Sequence, residues 1–319
     1  MPDADRVAEL LAEYFERQAA GEAVDPEAFV EAHPEVADAL REQLAVSPVV
    51  DEVFTHERQV PECLGPYRLL EPLGPGGMGT VYRATVEEAV SSLGGATEVA
   101  LKLVHPHLVQ RPVFFKLFLR EAEVGRSVDH RNVVRTFDAD ALVQDATPYH
   151  YLVMEYVEGQ TLSGLLDELE VVPEELCRHI GREVAQGLAA IHEAGAVHRD
   201  LKPDNVIITE DHQVKVMDLG VARLTDEAIR LSQTGHFVGS VEYAAPEQFT
   251  QSQGEVDQRS DLFALGVLLY ELSTGRHPFR DESARVVLQR ILQEPARKIG
   301  ELNPQVSPFL EELVDTLLR

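Results

Sequence analysis

The sequence predicts an α+β chain of two lobes, one rich in strands and one rich in helices, set behind a short helical segment. Three observations carry this. From Tyr67 the chain breaks into short runs rich in β-branched and aromatic residues, bounded by Gly and Pro. Beyond Leu162 its apolar residues recur mostly at helical spacing. Residues 1–65 follow neither trend and read as short amphipathic helices running into a looser stretch at about 46–65. A strand-rich part followed by a helix-rich part leaves a cleft between lobes, the kind of place where ligands bind.

Each element has its own signal. Val7, Leu10, Leu11, Tyr14 and Phe15 share helical spacing, as do Val36, Leu40 and Leu44. Asp25-Pro26-Glu27 reads as a helix start, with Asp as N-cap and Pro at the first helical position. A segment this small rarely folds alone. Its apolar faces are therefore expected to pack on the larger domain or on a partner, as an autoinhibitory, dimerising or docking arm. Strands are expected over Tyr67–Leu73, Thr80–Thr85 and Val99–Val104, with Glu87–Glu98 as a surface loop. Phe114–Ser127 has helical periodicity, and Tyr151–Tyr156 is another apolar strand. Leu262–Tyr270 is the most apolar run and reads as a buried helix, too short for the ~18–20 residues that span a bilayer.

Composition narrows the function classes. A formal net charge of −27 would repel both nucleic acid and anionic membrane. Cys63 and Cys177 are far apart with no CxxC spacing, which excludes a disulfide framework or zinc site and fits a reducing cytoplasm. The N-terminus lacks the basic and apolar regions of a secretion signal.

The chemistry begins at Gly74-Pro75-Gly76-Gly77-Met78-Gly79, a GxGxxG pattern directly after a strand. Glycine lets a backbone close over phosphates and turn its N–H groups toward them. A dinucleotide-binding turn needs a helix next, whereas Thr80-Val81-Tyr82-Arg83-Ala84 continues as a strand, so the pattern reads as a hairpin lid. Val99-Ala100-Leu101-Lys102 carries one lysine at the end of an apolar strand, suited to neutralising phosphate in the cleft. Such a lysine needs an orienting carboxylate. Glu121 on the following helix is the candidate, with Glu123 on a different face as competitor.

His198-Arg199-Asp200-Leu201-Lys202-Pro203-Asp204-Asn205, followed by Asp218-Leu219-Gly220 and Ala245-Pro246-Glu247, completes an ordered set. On these motifs the chain resembles the Hanks-type (eukaryotic-like) serine/threonine protein kinases of bacteria from about Tyr67 onward. The resemblance implies a bilobal protein-kinase fold over 66–319, with an N-lobe at 66–154, a hinge at 155–159 and a C-lobe at 160–319. It implies ATP as co-substrate, with Mg2+ as the metal and Mn2+ able to replace it, and a protein Ser/Thr hydroxyl as acceptor. Asp200 would take the acceptor proton, Lys202 would steady the γ-phosphate, and Asn205 and Asp218 would hold the metal. Gly74, Gly76, Gly77 and Gly79 would cover the phosphates. Val81, Ala100 and Ile207 would sandwich the purine beside the gatekeeper Met154, with the backbone of Glu155 and Val157 bonding to it. Asp261 would brace the catalytic loop, and Asp204 hints at tolerance for basic residues in the substrate. Lys202 and Gly239-Ser240 match the serine/threonine form rather than the tyrosine form.

The resemblance also suggests a switch. A phosphate on Thr234, or second on Ser232, could neutralise Arg199 and Arg223 through charge-assisted bonds. Two departures stand out. Gly125 lies one turn after Glu121 where relatives place an apolar side chain, which predicts a mobile helix and weak alignment of Lys102 with Glu121. The chain stops at Arg319 where the family continues into a last helix, so the C-lobe is expected to be incomplete and Glu247 to be unpaired. A nucleotide-binding scaffold without turnover and a small-molecule phosphotransferase of related fold remain as the competing readings.

Overall fold

The computed structural model describes residues 29, 32–33, 36, 60–76, 79–109, 112–144, 147–219, 241–249, 256–281 and 283–319. The chain divides into two units, Met1–Pro61 and Glu62–Arg319. In the first, Phe29 and Val36 are buried, and the Phe29 and His33 rings lie 5.0 Å apart.

The second unit opens with a six-stranded antiparallel sheet: β1 (Cys63–Leu64), β2 (Tyr67–Gly76), β3 (Gly79–Val86), β4 (Glu98–Val104), β5 (Thr136–Gln144) and β6 (Thr147–Glu155). Their order across the sheet is β1-β2-β3-β4-β6-β5. The first strand claims residues that the sequence assigned to the linker, and its Leu64 is fully buried. Two residues are too few to show a period of two. Strand β5 also went unread, because Asp138 and Asp140 inside it look like loop residues.

A one-turn helix α1 (Pro106–Val109) and the longer α2 (Pro112–Ser127) join β4 to β5. Phe118 and Ala122 of α2 pack with Ala100, Val104, Leu152 and Met154, which holds the helix against the sheet. At Gly125 the helix lies close against β5. A Cβ there would collide with Thr136 Oγ1 of β5 and lie 2.9 Å from its Cβ.

The rest is largely helical, as expected. A small sheet of β7 (Gln160–Thr161), β8 (Val206–Ile208) and β9 (Val214–Val216) follows, with β8 starting directly after residues 198–205. Around it lie α3 (Leu162–Leu169), α4 (Glu174–Glu193), α5 (Gln258–Thr274), α6 (Ala284–Gln293), α7 (Ile299–Leu302) and α8 (Pro308–Leu317). Helix α5 is capped by Asp257, whose side chain accepts from the Arg259 N–H, and nearly every residue from Ser260 to Thr274 is buried. It runs through the middle of this lobe. Leu268 and Leu269 of α5 meet Ile180, Leu188 and Ile191 of α4 in one core, each side chain contributing about 1.5–3 kcal/mol.

Candidate active site

Strand β4 delivers Lys102 and helix α2 delivers Glu121 to the same buried point. Lys102 Nζ donates to Glu121 Oε1 at 2.9 Å and to Asp218 Oδ1 at 2.9 Å. Lys102 and Glu121 are only 4% and 5% exposed, so neither charge has water to fall back on. Burial pulls the Lys102 ammonium down, but the Asp218 and Glu121 carboxylates outweigh it and hold the group above its ordinary value. Burial raises Glu121, and Lys102 offsets this only in part. Burial pushes Asp218 up as well, yet the charge and hydrogen bond of Lys102 bring it below the usual range.

This geometry differs from the loose helix that Gly125 suggested. The glycine is what lets α2 sit close enough to β5 for Glu121 to reach Lys102. A leucine there would add no packing, because Thr136 already fills the space. Glu123, the competing carboxylate, is exposed.

The loop 198–205 is held from below by Asp261, itself fully buried. Its two oxygens accept the backbone N–H groups of His198 (2.8 Å) and Arg199 (2.7 Å), and His192 Nε2 bonds to Oδ2 at 2.7 Å. Arg199 has φ +66° and Asp218 φ +54°, both in the left-handed region. A non-glycine residue held there costs roughly 1–3 kcal/mol, which the Asp261 bonds offset at Arg199. His198 ties the two segments together: its Nδ1 accepts from the Asp200 N–H (3.3 Å), so Nε2 carries the proton and donates to the Met217 carbonyl (3.0 Å).

Asn205 Nδ2 donates to the Asp200 carbonyl at 2.7 Å and to Asp200 Oδ2 at 3.1 Å. With its amide nitrogen committed to Asp200, Asn205 has its amide oxygen left to offer. Lys202 Nζ stands 3.9 Å from Asp200 Oδ2. The Asn205 carbonyl accepts the Met217 N–H at 2.9 Å, one residue before the ionised Asp218, and an amide oxygen with a carboxylate is the kind of oxygen donor that suits a hard divalent cation.

Above this point, β3 and β4 place Val81 opposite Lys102, and β4 and β6 place Ala100 opposite Met154. Ile207 lies on β8. Glu155 ends β6, and its N–H is committed to the Arg135 carbonyl at 2.8 Å, so the backbone group it can offer a purine is its carbonyl. At the hairpin tip Gly74 pairs with Val81 and Gly76 with Gly79. Gly79 has a packing reason besides any phosphate, since a Cβ there would collide with the Leu103 carbonyl oxygen.

Gly77, Arg223, Ser232, Thr234 and Ser240 lie outside the described residues. Glu247 is not left alone, contrary to expectation: Ser260 Oγ of α5 donates to its Oε1 at 2.5 Å. A neutral hydroxyl, invisible to a search for a cationic partner, fills the role. Three further groups escaped the sequence reading: His192 below Asp261, Tyr243 donating its hydroxyl to the Glu271 carboxylate, and Lys215 bonded to the side chain of Glu155. Their partners lie 28 to 69 residues away, and no local pattern announces such pairs.

Residues 67–319 match the family described as protein kinase domain. The serine/threonine-protein kinase PknA of Corynebacterium glutamicum is 35% identical over 272 residues, covering 84% of this chain and 55% of the relative. The probable serine/threonine-protein kinase PknB of the same organism is 36% identical, over 79% of this chain and 38% of the relative. PknB of Mycobacterium leprae is 35% identical, over 72% and 36%. The chain thus spans from about a third to a little over half of these curated relatives. With the family match running from the first long strand through the last helix, the chain belongs to the protein kinase family, among the Hanks-type serine/threonine kinases of bacteria.

Proposed function

We propose that the chain transfers the γ-phosphoryl group of ATP to Ser or Thr hydroxyls of protein substrates, within the cytoplasm and with Mg2+ as its metal. The observation that carries this is the buried Lys102–Glu121–Asp218 group standing beside the hydrogen-bonded Asp200–Asn205 pair. In this reading the N-lobe is 66–154, the hinge 155–159 and the C-lobe 160–319. The Asn205 amide oxygen and Asp218 would hold Mg2+, which when bound supplies positive charge against the phosphate oxygens. Lys102, oriented by Glu121, meets the phosphates from the N-lobe side, and Lys202 meets the γ-phosphate from the loop.

Asp200, steadied by Asn205, takes the proton of the acceptor hydroxyl as its oxygen bonds to phosphorus and the bond to the ADP oxygen breaks. Positioning and charge do nearly all of the work, because the transition state is loose. Thr234 and then Ser232 would accept phosphate from the chain itself and pair with Arg199 and Arg223.

The test is transfer of labelled γ-phosphate, to itself and to a basic protein, by the chain and by Asp200→Asn. General-base loss should cut transfer by about 10²–10⁴-fold while nucleotide binding persists. Equal labelling by both forms would overturn the reading.

A further inference from the structure

The backbone that the proposed function assigns to purine binding, residues 155–157, is gripped by side chains from two directions. On one side is Lys215, in the middle of β9 and only 7% exposed. Its Nζ bonds to Glu155 Oε2 at 2.9 Å across 60 residues of sequence. In the β8–β9 register Lys215 stands directly opposite Ile207, and residues directly opposite share a face of the sheet. The ammonium stem therefore lies beside the expected purine floor.

Glu155 is fixed further by Arg135, whose N–H donates to Oε2 at 3.3 Å while its carbonyl accepts the Glu155 N–H at 2.8 Å. The segment carrying Arg135 is in turn stitched to β9: the Val134 N–H donates to the Val216 carbonyl and the Val216 N–H to the Asn132 carbonyl, both at 2.8 Å. A closed ring results, running Glu155, Arg135, Val134, Val216, Lys215 and back to Glu155. Asp218 follows two residues after Val216, and the Met217 N–H between them donates to the Asn205 carbonyl at 2.9 Å. One strand thus links the hinge to both proposed metal ligands.

On the other side is Arg83 of β3. Its guanidinium lies over the Tyr156 ring, 4.8 Å from the centroid, and is held there by Glu98 (2.7 Å) and Glu71 (3.1 Å). Arg83 is opposite Ala100, the expected purine roof, in the β3–β4 register.

We infer that Lys215, through its ion pair with Glu155 and helped by Arg83 on Tyr156, is a positioning residue that fixes the hinge backbone for the nucleotide and couples it to Asp218. This rests on the proposed nucleotide-dependent function but not on turnover. A bare ion pair that only strengthened the fold would change stability and leave affinity alone. A positioning pair changes affinity, because nucleotide meets only the fraction of molecules with the hinge in place.

The experiment uses the full chain and a fluorescent ADP analogue with Mg2+, titrated against wild type, Lys215→Met, Lys215→Arg and Asp200→Asn, with thermal unfolding of each. If the unpaired hinge is competent one time in ten, Lys215→Met should raise the apparent Kd about ten-fold. Lys215→Arg should recover most of that, and the KM for ATP should rise while kcat falls by less. Wild-type affinity in a folded Lys215→Met chain would overturn the inference. Arg83→Ala, at a partly exposed site, supplies a second arm should Lys215→Met unfold: it should weaken the analogue several-fold in a folded protein, and unchanged affinity there would overturn the inference equally. Binding by wild type and by Asp200→Asn without any transfer would refute the kinase reading and leave the hinge inference standing. No binding by wild type would refute both.

Discussion

His277 sits largely out of water, edge-on to the Tyr243 ring at 4.9 Å, with its Nδ1 accepting from the Phe279 N–H at 3.1 Å. Burial, with nearby Arg280, lowers its pKa to about 3. Above the ordinary histidine value neither folded nor unfolded chain is protonated there, so the group adds no pH dependence. Below it the unfolded chain takes a proton that the folded one refuses. Stability therefore falls with pH from about 6.5 toward about 3, by at most about 1.4 kcal/mol per pH unit from this group. His277→Phe should show a shallower acid decline in urea titrations at pH 7, 6 and 5, and identical slopes would count against this account. Asp261 makes a different claim at the same scale. Replacing it with Asn turns an acceptor of two backbone N–H groups into one that faces at least one of them with a donor. A cost of roughly 1–3 kcal/mol in chemical denaturation follows, with a larger proportional loss of transfer activity, since Arg199 then loses support for its left-handed backbone.

At the scale of elements, helix α2 is placed by the absence of a side chain. Gly125→Ala should destabilise the chain by about 1–3 kcal/mol through overpacking against Thr136, and it should lower basal transfer by displacing Glu121 from Lys102. The double variant with Thr136→Ala, which removes the nearest atom, should regain part of both. Additive losses in that cycle would mean that the two positions do not communicate. This glycine also shows where reading the sequence runs out. Strands β2, β3, β4 and β6, helix α2, the buried run from Leu262 to Tyr270 and the ordered motifs are legible, because local period and fixed spacing encode them. The purpose of Gly125 is not, since it depends on β5, whose own pattern is broken by Asp138 and Asp140. The two- and three-residue strands β7, β8 and β9 are too short to carry any period. The Lys215–Glu155 and Ser260–Glu247 pairs are set by tertiary approach alone, so the residues are visible in the sequence but their partnership is not.

Across the whole molecule the formal charge sums to −27, and the proposed function brings a polyanion and a protein acceptor to it. Basic acceptor proteins should be drawn to such a surface. Their kcat/KM should drop several-fold as ionic strength rises from about 0.01 to about 0.15 M, where the Debye length shrinks from roughly 30 to 8 Å. A flat response would show that the docking face is locally neutral. The packing of α8 on α5 bears on something else, the order in which these parts can fold during synthesis. Leu317 and Leu318 lie so close to Gly266 that a Cβ there would come within 2.8 Å of Leu317, and Leu310 and Val314 are buried in the same core as Leu188 of α4. The first sheet needs only neighbours that emerge within a few dozen residues of one another, so it can form early. The helical lobe cannot close until more than a hundred residues after α4 have been made. For that interval the apolar side of α4 waits in a nascent chain, a surface for a chaperone to cover.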